Sequence, residues 1–286
     1  MFRNSFLLLN LGLKSVLQSN RLPLSRLRLG VTASIIALSA SATCILAEAP
    51  VPTTDDALKP LENVAEPVTG IKFPRFLSFA YAEGESNAHL DLIGLGIRQV
   101  TFMYFNAYTV GLYLDKKAQS FIRSSARWSQ EYSPEKLIKG SPEASWFYSN
   151  LLSRGHGLSL LIQTCRKTDA PHLRNGFIKF LSERAGRERL TDAEREQILK
   201  DLDDFRLAFP TGAFEGGDWI RVTRLPDGHL SMDFATTKKG VERKSLVIAN
   251  PKLAQWFFEG YLHPKRPISP SLISSVAKGF ARLLDQ

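Results

Sequence analysis

The sequence has few of the residues and motifs that mark metal, disulfide and nucleotide sites. It contains two cysteines in 286 residues, Cys44 and Cys165, which excludes a disulfide framework and a cysteine-rich metal site. It has no phosphate-binding loop and no HExxH, CxxC or GxSxG motif, and the stretch GLGIRQV carries only the first two glycines of a dinucleotide fingerprint. The five histidines do not stand at metal-ligand spacing. Motifs alone therefore assign no reaction to this chain.

Acidic residues are absent from residues 1–47, where five basic residues stand, and the first acid is Glu48. Residues 1–28 are rich in leucine and carry Arg and Ser, which is typical of a mitochondrial transit peptide. Arginines continue to Arg28, after the first apolar stretch, and this fits a secretory signal poorly. Without these five charges the formal net charge of +9 falls to +4 over the other 239 residues. An excess of that size does not indicate nucleic acid binding.

Residues 29–47 contain no charged side chain. Nineteen residues at about 1.5 Å rise span roughly 28 Å, which is close to the hydrocarbon thickness of a bilayer. We predict a single transmembrane helix here; the alternative is that the run belongs to a cleaved presequence. Arginines precede the run and acids follow it, so the charge bias predicts an inner-membrane protein whose domain faces the intermembrane space.

Residues 48–68 are rich in proline, acidic and free of aromatic residues, which predicts a linker. The folded domain is then expected over residues 69–286. Hydrophobic patterning predicts strands in residues 70–82, 94–115, 157–167 and 218–250, and helices over residues 133–153, 170–186, 190–209, 251–262 and 269–284. Strands and helices are grouped rather than alternating, so we expect an α+β domain with an antiparallel sheet and not a doubly wound fold.

One stretch carries a more specific signal. Residues 94–115, GLGIRQVTFMYFNAYTVGLYLD, contain Gly-x-Gly-x-Arg, a strand, a turn and then YTVGLYLD. This order resembles the chalcone isomerase fold family, and collinear similarity extends over about residues 70–286. Together with the predicted transit peptide and membrane span, it is similar to the fungal altered-inheritance-of-mitochondria proteins of that family. The resemblance implies an antiparallel sheet with helices packed on one face and a ligand cleft between them.

The resemblance also implies roles for particular residues. The plant enzymes of the family close a flavanone ring, and their arginine, matched here by Arg98, stabilises the substrate anion. Non-plant relatives bind fatty acids through the same arginine, and the fungal mitochondrial members bind heme. Tyr108 stands where the enzyme has a threonine, His172 falls near its catalytic tyrosine, and Gly260 replaces a second Thr or Ser. Because these polar positions differ, flavanone formation is not expected.

The resulting hypothesis is that Arg98, with Tyr108 and His172, binds an acidic hydrophobic ligand, either heme or a fatty acid. His172 is a candidate heme ligand, and His156 is a second candidate in a loop. Arg98 could instead form an internal salt bridge, for instance to Asp91 or Asp115. At the level of function, the alternatives are an intramolecular lyase acting on an enone-like substrate, and a non-enzymatic structural or assembly factor of the inner membrane.

Overall fold

The computed structural model describes residues 62–79, 88–100, 105–236, 242–263 and 267–286. The predicted transit peptide (1–28) and the predicted membrane span (29–47) lie outside these residues. Among the residues described, no helix is both long and apolar enough to cross a membrane.

The fold is α+β, as the patterning predicted. The strands are β1 Asn63–Ala65, β2 Lys72–Pro74, β3 Phe76–Phe79, β4 Ala88–Val100, β5 Phe105–Asp115, β6 Leu158–Thr164, β7 Thr168–Asp169, β8 Ala213–Phe214, β9 Trp219–Arg224, β10 Leu230–Thr236 and β11 Glu242–Ile248. The helices are α1 Lys116–Ser124, α2 Ala126–Glu131, α3 Pro134–Lys139, α4 Pro142–Leu152, α5 Ala170–Ala185, α6 Asp192–Ala208, α7 Pro251–Leu262 and α8 Pro270–Leu284.

Seven of these strands form one antiparallel sheet in the order β11-β10-β9-β6-β5-β4-β3. One face carries the main hydrophobic core, in which side chains such as Val110 and Leu112 of β5 pack with the buried sides of the helices. The other face has a smaller core around Phe73 and Tyr113, next to the β1–β2 pair. The helices therefore cover one face, as expected.

Helix ends follow the local signals in the sequence. Thr191 and Glu194 form the capping box that begins α6, and the Asn250 side chain accepts from the first backbone N–H groups of α7. The helix predicted over residues 133–153 is two helices. Gly140 adopts a left-handed conformation (φ 69°) that ends α3, and the following Ser-Pro pair begins α4.

Two further predictions need correction. The strand β1 lies inside residues 48–68, which were assigned to a linker because they lack aromatic residues. Antiparallel pairing with β2 supplies the contacts that the composition did not indicate. Helices α1 and α2 follow β5 directly and were not predicted. Asp115, at the end of β5, caps α1 by accepting from Ala118 N at 2.6 Å.

Helix α8 lies directly on β4, and glycines make this close approach possible. A Cβ atom on Gly96 would lie 2.3 Å from the backbone nitrogen of Leu272, and one on Gly94 would lie 2.6 Å from that of Val276. A Cβ on Gly279 of α8 would lie 2.1 Å from the carbonyl oxygen of Ile93. Real Cβ atoms do not approach backbone so closely, so these three positions require glycine.

The same helix satisfies the backbone of β4 where no strand does. The short β3 pairs only with residues 88–91 of β4. Beyond that point, Ser275 Oγ accepts from Leu95 N at 3.0 Å and Ser271 Oγ accepts from Ile97 N at 2.8 Å. Ser269 Oγ donates to Ile97 O at 2.7 Å. Serines of α8 therefore replace a neighbouring strand and hold the helix start against this part of β4.

Candidate functional site

Arg98 is oriented toward the helices by the register of β4 and β5. The β4–β5 register pairs Gly94 with Leu112, Gly96 with Val110 and Arg98 with Tyr108. Partners in an antiparallel register share one face of the sheet, and Val110 and Leu112 belong to the core beneath the helices. In Gly-x-Gly-x-Arg, the glycines therefore admit α8 and the arginine extends past the start of that helix.

A β-bulge follows immediately. The register pairs Arg98 with Tyr108 but the next residue, Gln99, with Asn106, so Ala107 is the extra residue on β5. A bulge increases local twist and redirects side chains, and bulges are common beside functional sites. Here the bulge ends the regular pairing at Arg98 and Tyr108, the two residues predicted from the sequence to bind a ligand.

The guanidinium of Arg98 is partly buried and has a single described hydrogen bond. Its Nη1 donates to the carbonyl oxygen of Ile268, two residues before α8, at 2.8 Å. The alternative of an internal salt bridge is wrong for the described residues. Asp91 instead pairs with Lys116 and accepts from Gln119, while Asp115 accepts from Ala118 N and Gly157 N. A guanidinium has five N–H donors, so several remain for an anion.

Tyr108 lies beside Arg98 and is fully buried. Its hydroxyl is 2.9 Å from the hydroxyl of Tyr261 on α7. Burial raises the pKa of Tyr108 to about 12, although the bond to Tyr261 and the charge of Arg98 both lower it. Burial likewise raises the pKa of Tyr261 well above its usual value. Both phenols are therefore neutral at physiological pH.

The two tyrosines have two O–H donors but share only one hydrogen bond. One hydroxyl donates to the other, and the second O–H has no described acceptor. A charged guanidinium with free donors and a neutral O–H donor thus lie at one end of the helix-covered core. These groups suit a carboxylate, which offers two acceptor oxygens and a negative charge.

Two parts of this arrangement were not predicted from the sequence. Tyr261 was not selected from the sequence. Its hydroxyl was a signal, because a tyrosine in an otherwise apolar buried helix face needs a polar partner. The contact of the Ile268 carbonyl with Arg98 could not be predicted from the sequence, since it depends on how the α7–α8 connection returns to β4.

His172 differs from these buried groups. It is exposed, on the first turn of α5. His156 lies in the loop before β6, with its ring tilted 31° from that of Phe121 and the ring centroids 5.2 Å apart. Both of its ring nitrogens are buried without a described partner. Within the described ranges, no three His, Cys, Asp or Glu side chains are placed to hold a metal ion.

A separate surface cavity of about 490 Å³ lies at the opposite end of the β4–β5 pair. Phe76, His89, Asp91 and Lys116 are among the residues that line it, and neither Arg98 nor Tyr108 does. Asp91 and Lys116 pair with each other there, and Asp115 accepts from Ala118 N and Gly157 N, so these three charged groups already have partners within the protein. We therefore place the candidate site at Arg98 and not in this cavity.

Comparison with known proteins places the chain in a family. The family model described as "Chalcone isomerase like" matches residues 88–277, which include β4, β5, α7 and about half of α8. The chain belongs to this family. A protein of Arabidopsis thaliana that is named a fatty-acid binding protein has the same fold, with a TM-score of 0.56 and 17% sequence identity. The match covers 79% of this chain and 100% of that one.

Among curated proteins, the chain is similar to fungal proteins named "Altered inheritance of mitochondria protein 18, mitochondrial". The protein from Debaryomyces hansenii is 27% identical over 207 residues, covering 69% of this chain and 68% of that protein. The protein from Eremothecium gossypii is 25% identical over 240 residues, covering 78% and 77%. The relatives are named as mitochondrial, which agrees with the compartment predicted from the N-terminal sequence.

Proposed function

We propose that this domain binds a hydrophobic carboxylate of the fatty-acid class, with its carboxylate held by Arg98 and Tyr108. The observation that carries the proposal is the guanidinium of Arg98, which is partly buried, faces the helices and has one backbone carbonyl as its described partner. A buried charge without a counter-ion is costly, so a carboxylate that pairs with it would be stabilised. The apolar side chains beneath the helices offer the surroundings that an acyl chain needs.

The Arabidopsis neighbour supports this proposal, because its name records fatty-acid binding and its fold is the same. At 17% identity that likeness extends to the fold alone. The ligand class therefore depends on the donors around Arg98, and the site must be tested directly.

Fatty-acid affinity in arginine variants provides the test. Displacement of a fluorescent fatty acid by oleate is measured for the wild type, Arg98→Gln, Arg98→Lys and Arg282→Gln. Arg282 is a matched control, since its Nη2 also contacts a carbonyl of β4, that of Ile93, at 3.4 Å. A hydrogen bond to a charged group contributes about 1.5–3 kcal/mol, so Arg98→Gln is expected to weaken binding by about 10- to 100-fold.

In the same titration, Arg98→Lys is expected to lie between the wild type and Arg98→Gln, since lysine keeps the charge but not the forked geometry. Arg282→Gln is expected to bind like the wild type. Equal affinity in the wild type and Arg98→Gln would refute the proposed site.

Heme is the other ligand that the family resemblance implies, and Arg98 could pair with one of its propionates. The described residues do not fit the rest of a heme site at this position. His172 is exposed, and the hydroxyls of Tyr108 and Tyr261 are held neutral by burial, whereas tyrosine ligates heme iron as phenolate. Heme therefore stays a sequence-based prediction. A Soret band that is lost in Arg98→Gln would support it against a fatty acid.

An intramolecular lyase is the second candidate, and one observation favours it. Arg98 and the Tyr108–Tyr261 pair together could stabilise an enolate oxygen. Turnover of a chalcone by the wild type, lost in both Arg98→Gln and Tyr108→Phe, would favour this activity. A chain that neither turns over a chalcone nor binds a fatty acid would favour the third candidate, a structural or assembly factor.

For location, we propose the mitochondrial inner membrane, with residues 29–47 as the anchor and the domain in the intermembrane space. The absence of acids before Glu48 and the arginines before the apolar run support this orientation. Protease protection in mitochondria with ruptured outer membranes tests it, since the domain should be digested there. A domain that stays protected would place it in the matrix.

A further inference from the structure

The ring of Phe180 on α5 lies against Gly260 on α7. A Cβ atom on Gly260 would lie 2.4 Å from Phe180 Cζ and 2.8 Å from its Cε1. The ring therefore fills the place where any other residue at position 260 would have a side chain. This is the position whose glycine distinguishes the chain from the plant enzyme, and the structure shows what takes up the space.

The same ring adjoins the segment that Arg98 contacts. The Cδ1 atom of Ile268 lies 3.0 Å from the same Cβ position of Gly260, so the side chains of Phe180 and Ile268 are neighbours. Ile268 N donates to Gly260 O at 2.8 Å, while Ile268 O accepts from Arg98. Next to Gly260, Tyr261 bonds to Tyr108. Phe180 thus covers the backbone that links both polar groups of the site.

Phe180 is partly exposed, whereas Gly260 and Tyr261 are buried. Its ring makes apolar contacts and no hydrogen bond, so it can turn away toward solvent without leaving a polar group unpaired. Its removal would expose the surface of Gly260 and the Ile268 side chain. That surface is apolar and adjoins the carbonyl on Arg98, which is where the first carbons of a bound carboxylate would lie.

We propose that Phe180 determines access to the ligand site, its ring forming a movable wall that an incoming acyl chain must displace. This inference rests on the proposed function. The carboxylate would accept from the free N–H groups of Arg98 beside the Ile268 carbonyl, and the carbons next to it would occupy the space over Gly260. The size of residue 180 then sets how fast a ligand enters, while Arg98 sets how long it stays.

Stopped-flow binding of a fluorescent fatty acid to the full chain tests this inference. We expect the association rate constant to rise in the order Phe180→Trp, wild type, Phe180→Leu, Phe180→Ala, with about a tenfold gain for alanine. Ile178→Ala is the control, since Ile178 is another partly buried apolar residue of α5, and it should leave the rate unchanged.

If the variants only loosened the packing of α5, the association rate constant would rise in every destabilised variant, including Phe180→Trp and Ile178→Ala. A slower rate in Phe180→Trp therefore separates a wall from a packing defect. An association rate that does not depend on the size of residue 180, in a chain that binds through Arg98, would overturn this inference and leave the proposed function intact. A wild type that binds no fatty acid would overturn both.

Discussion

The contact between α8 and β4 makes a sharp prediction about Gly96. In Gly96→Ala the new methyl carbon would lie 2.3 Å from Leu272 N, 2.5 Å from its Cα and 2.7 Å from its Cβ. Ordinary contacts begin near 3.4 Å, so α8 must move by about 1 Å. Overpacking of this kind costs about 1–3 kcal/mol, and two of the atoms met here are rigid backbone. We expect a loss of about 3 kcal/mol in the free energy of unfolding.

Moving α8 also strains the bonds that Ser271 and Ser275 make to β4, which places the estimate at the upper end of that range. For a domain of this size, 1 kcal/mol corresponds to about 2–4 °C in Tm, so the expected drop is about 6–12 °C. Urea denaturation followed by circular dichroism measures the free energy of unfolding, and calorimetry measures Tm.

Gly176→Ala is the matched control. Gly176 is exposed in the interior of α5, and nothing lies within 4 Å of the Cβ position. Alanine favours a helix interior by about 0.5–1 kcal/mol over glycine, so this variant should be more stable than the wild type. If Gly96→Ala unfolds within 1 kcal/mol of the wild type, the close approach of α8 to β4 is wrong, and so is the explanation of Gly-x-Gly-x-Arg given above.

Three further predictions follow from buried groups. Burial lowers the pKa of His156, Asp115 raises it, and Arg154, Arg224 and Lys117 lower it. The unfolded chain therefore binds a proton at His156 more readily than the folded chain does. The free energy of unfolding should fall as the pH drops below about 6.5, the ordinary pKa of histidine. Urea titrations at pH 8 and pH 5 should show a smaller fall in His156→Phe than in the wild type. An equal fall in both chains would exclude His156 as the cause. Tyr108→Phe should cost about 1–2 kcal/mol, because it leaves the buried hydroxyl of Tyr261 unpaired, whereas adding Tyr261→Phe should recover part of that loss. Additive losses in this double-mutant cycle would contradict the bond. Gly260→Ala should lower the free energy of unfolding by about 1–3 kcal/mol in the wild type. The loss should be much smaller in a Phe180→Ala background, where the overlapping ring is gone. Urea titrations of the wild type, both single variants and the double variant measure this difference.

The sequence predicted the parts of this fold that depend on periodicity and capping. Helices α6 and α7 lie within residues 190–209 and 251–262, where helices were predicted, and each begins at a capping side chain. Strands β9 to β11 lie within residues 218–250, where strands were predicted. The parts that depend on tertiary contacts were not predictable in this way. Helices α1 and α2 were missed, and β1 is held by pairing with β2 and not by its own composition.

The same division holds at the site. Arg98 and Tyr108 were selected from the sequence, and the register of β4 and β5 brings them together on the helix-covered face. Tyr261 of α7 contacts Tyr108, and the carbonyl of Ile268, before α8, contacts Arg98. Phe180 of α5 lies against Gly260, next to Tyr261. These contacts join residues more than 70 positions apart, so no local pattern records them. The position of His172 depended on alignment alone, and the structure places it on an exposed turn.

The central claim is that a fatty-acid carboxylate pairs with Arg98, and the ionisation of that carboxylate tests it most directly. Oleate labelled with ¹³C at the carboxyl carbon is bound to the protein, and its NMR signal is followed as the pH is lowered. An adjacent guanidinium favours the charged form, so the bound carboxyl should titrate well below the free acid in the wild type and in Arg282→Gln. In Arg98→Gln the depression should disappear. A bound signal that titrates alike in the wild type and Arg98→Gln would show that the carboxylate lies elsewhere and would contradict the account.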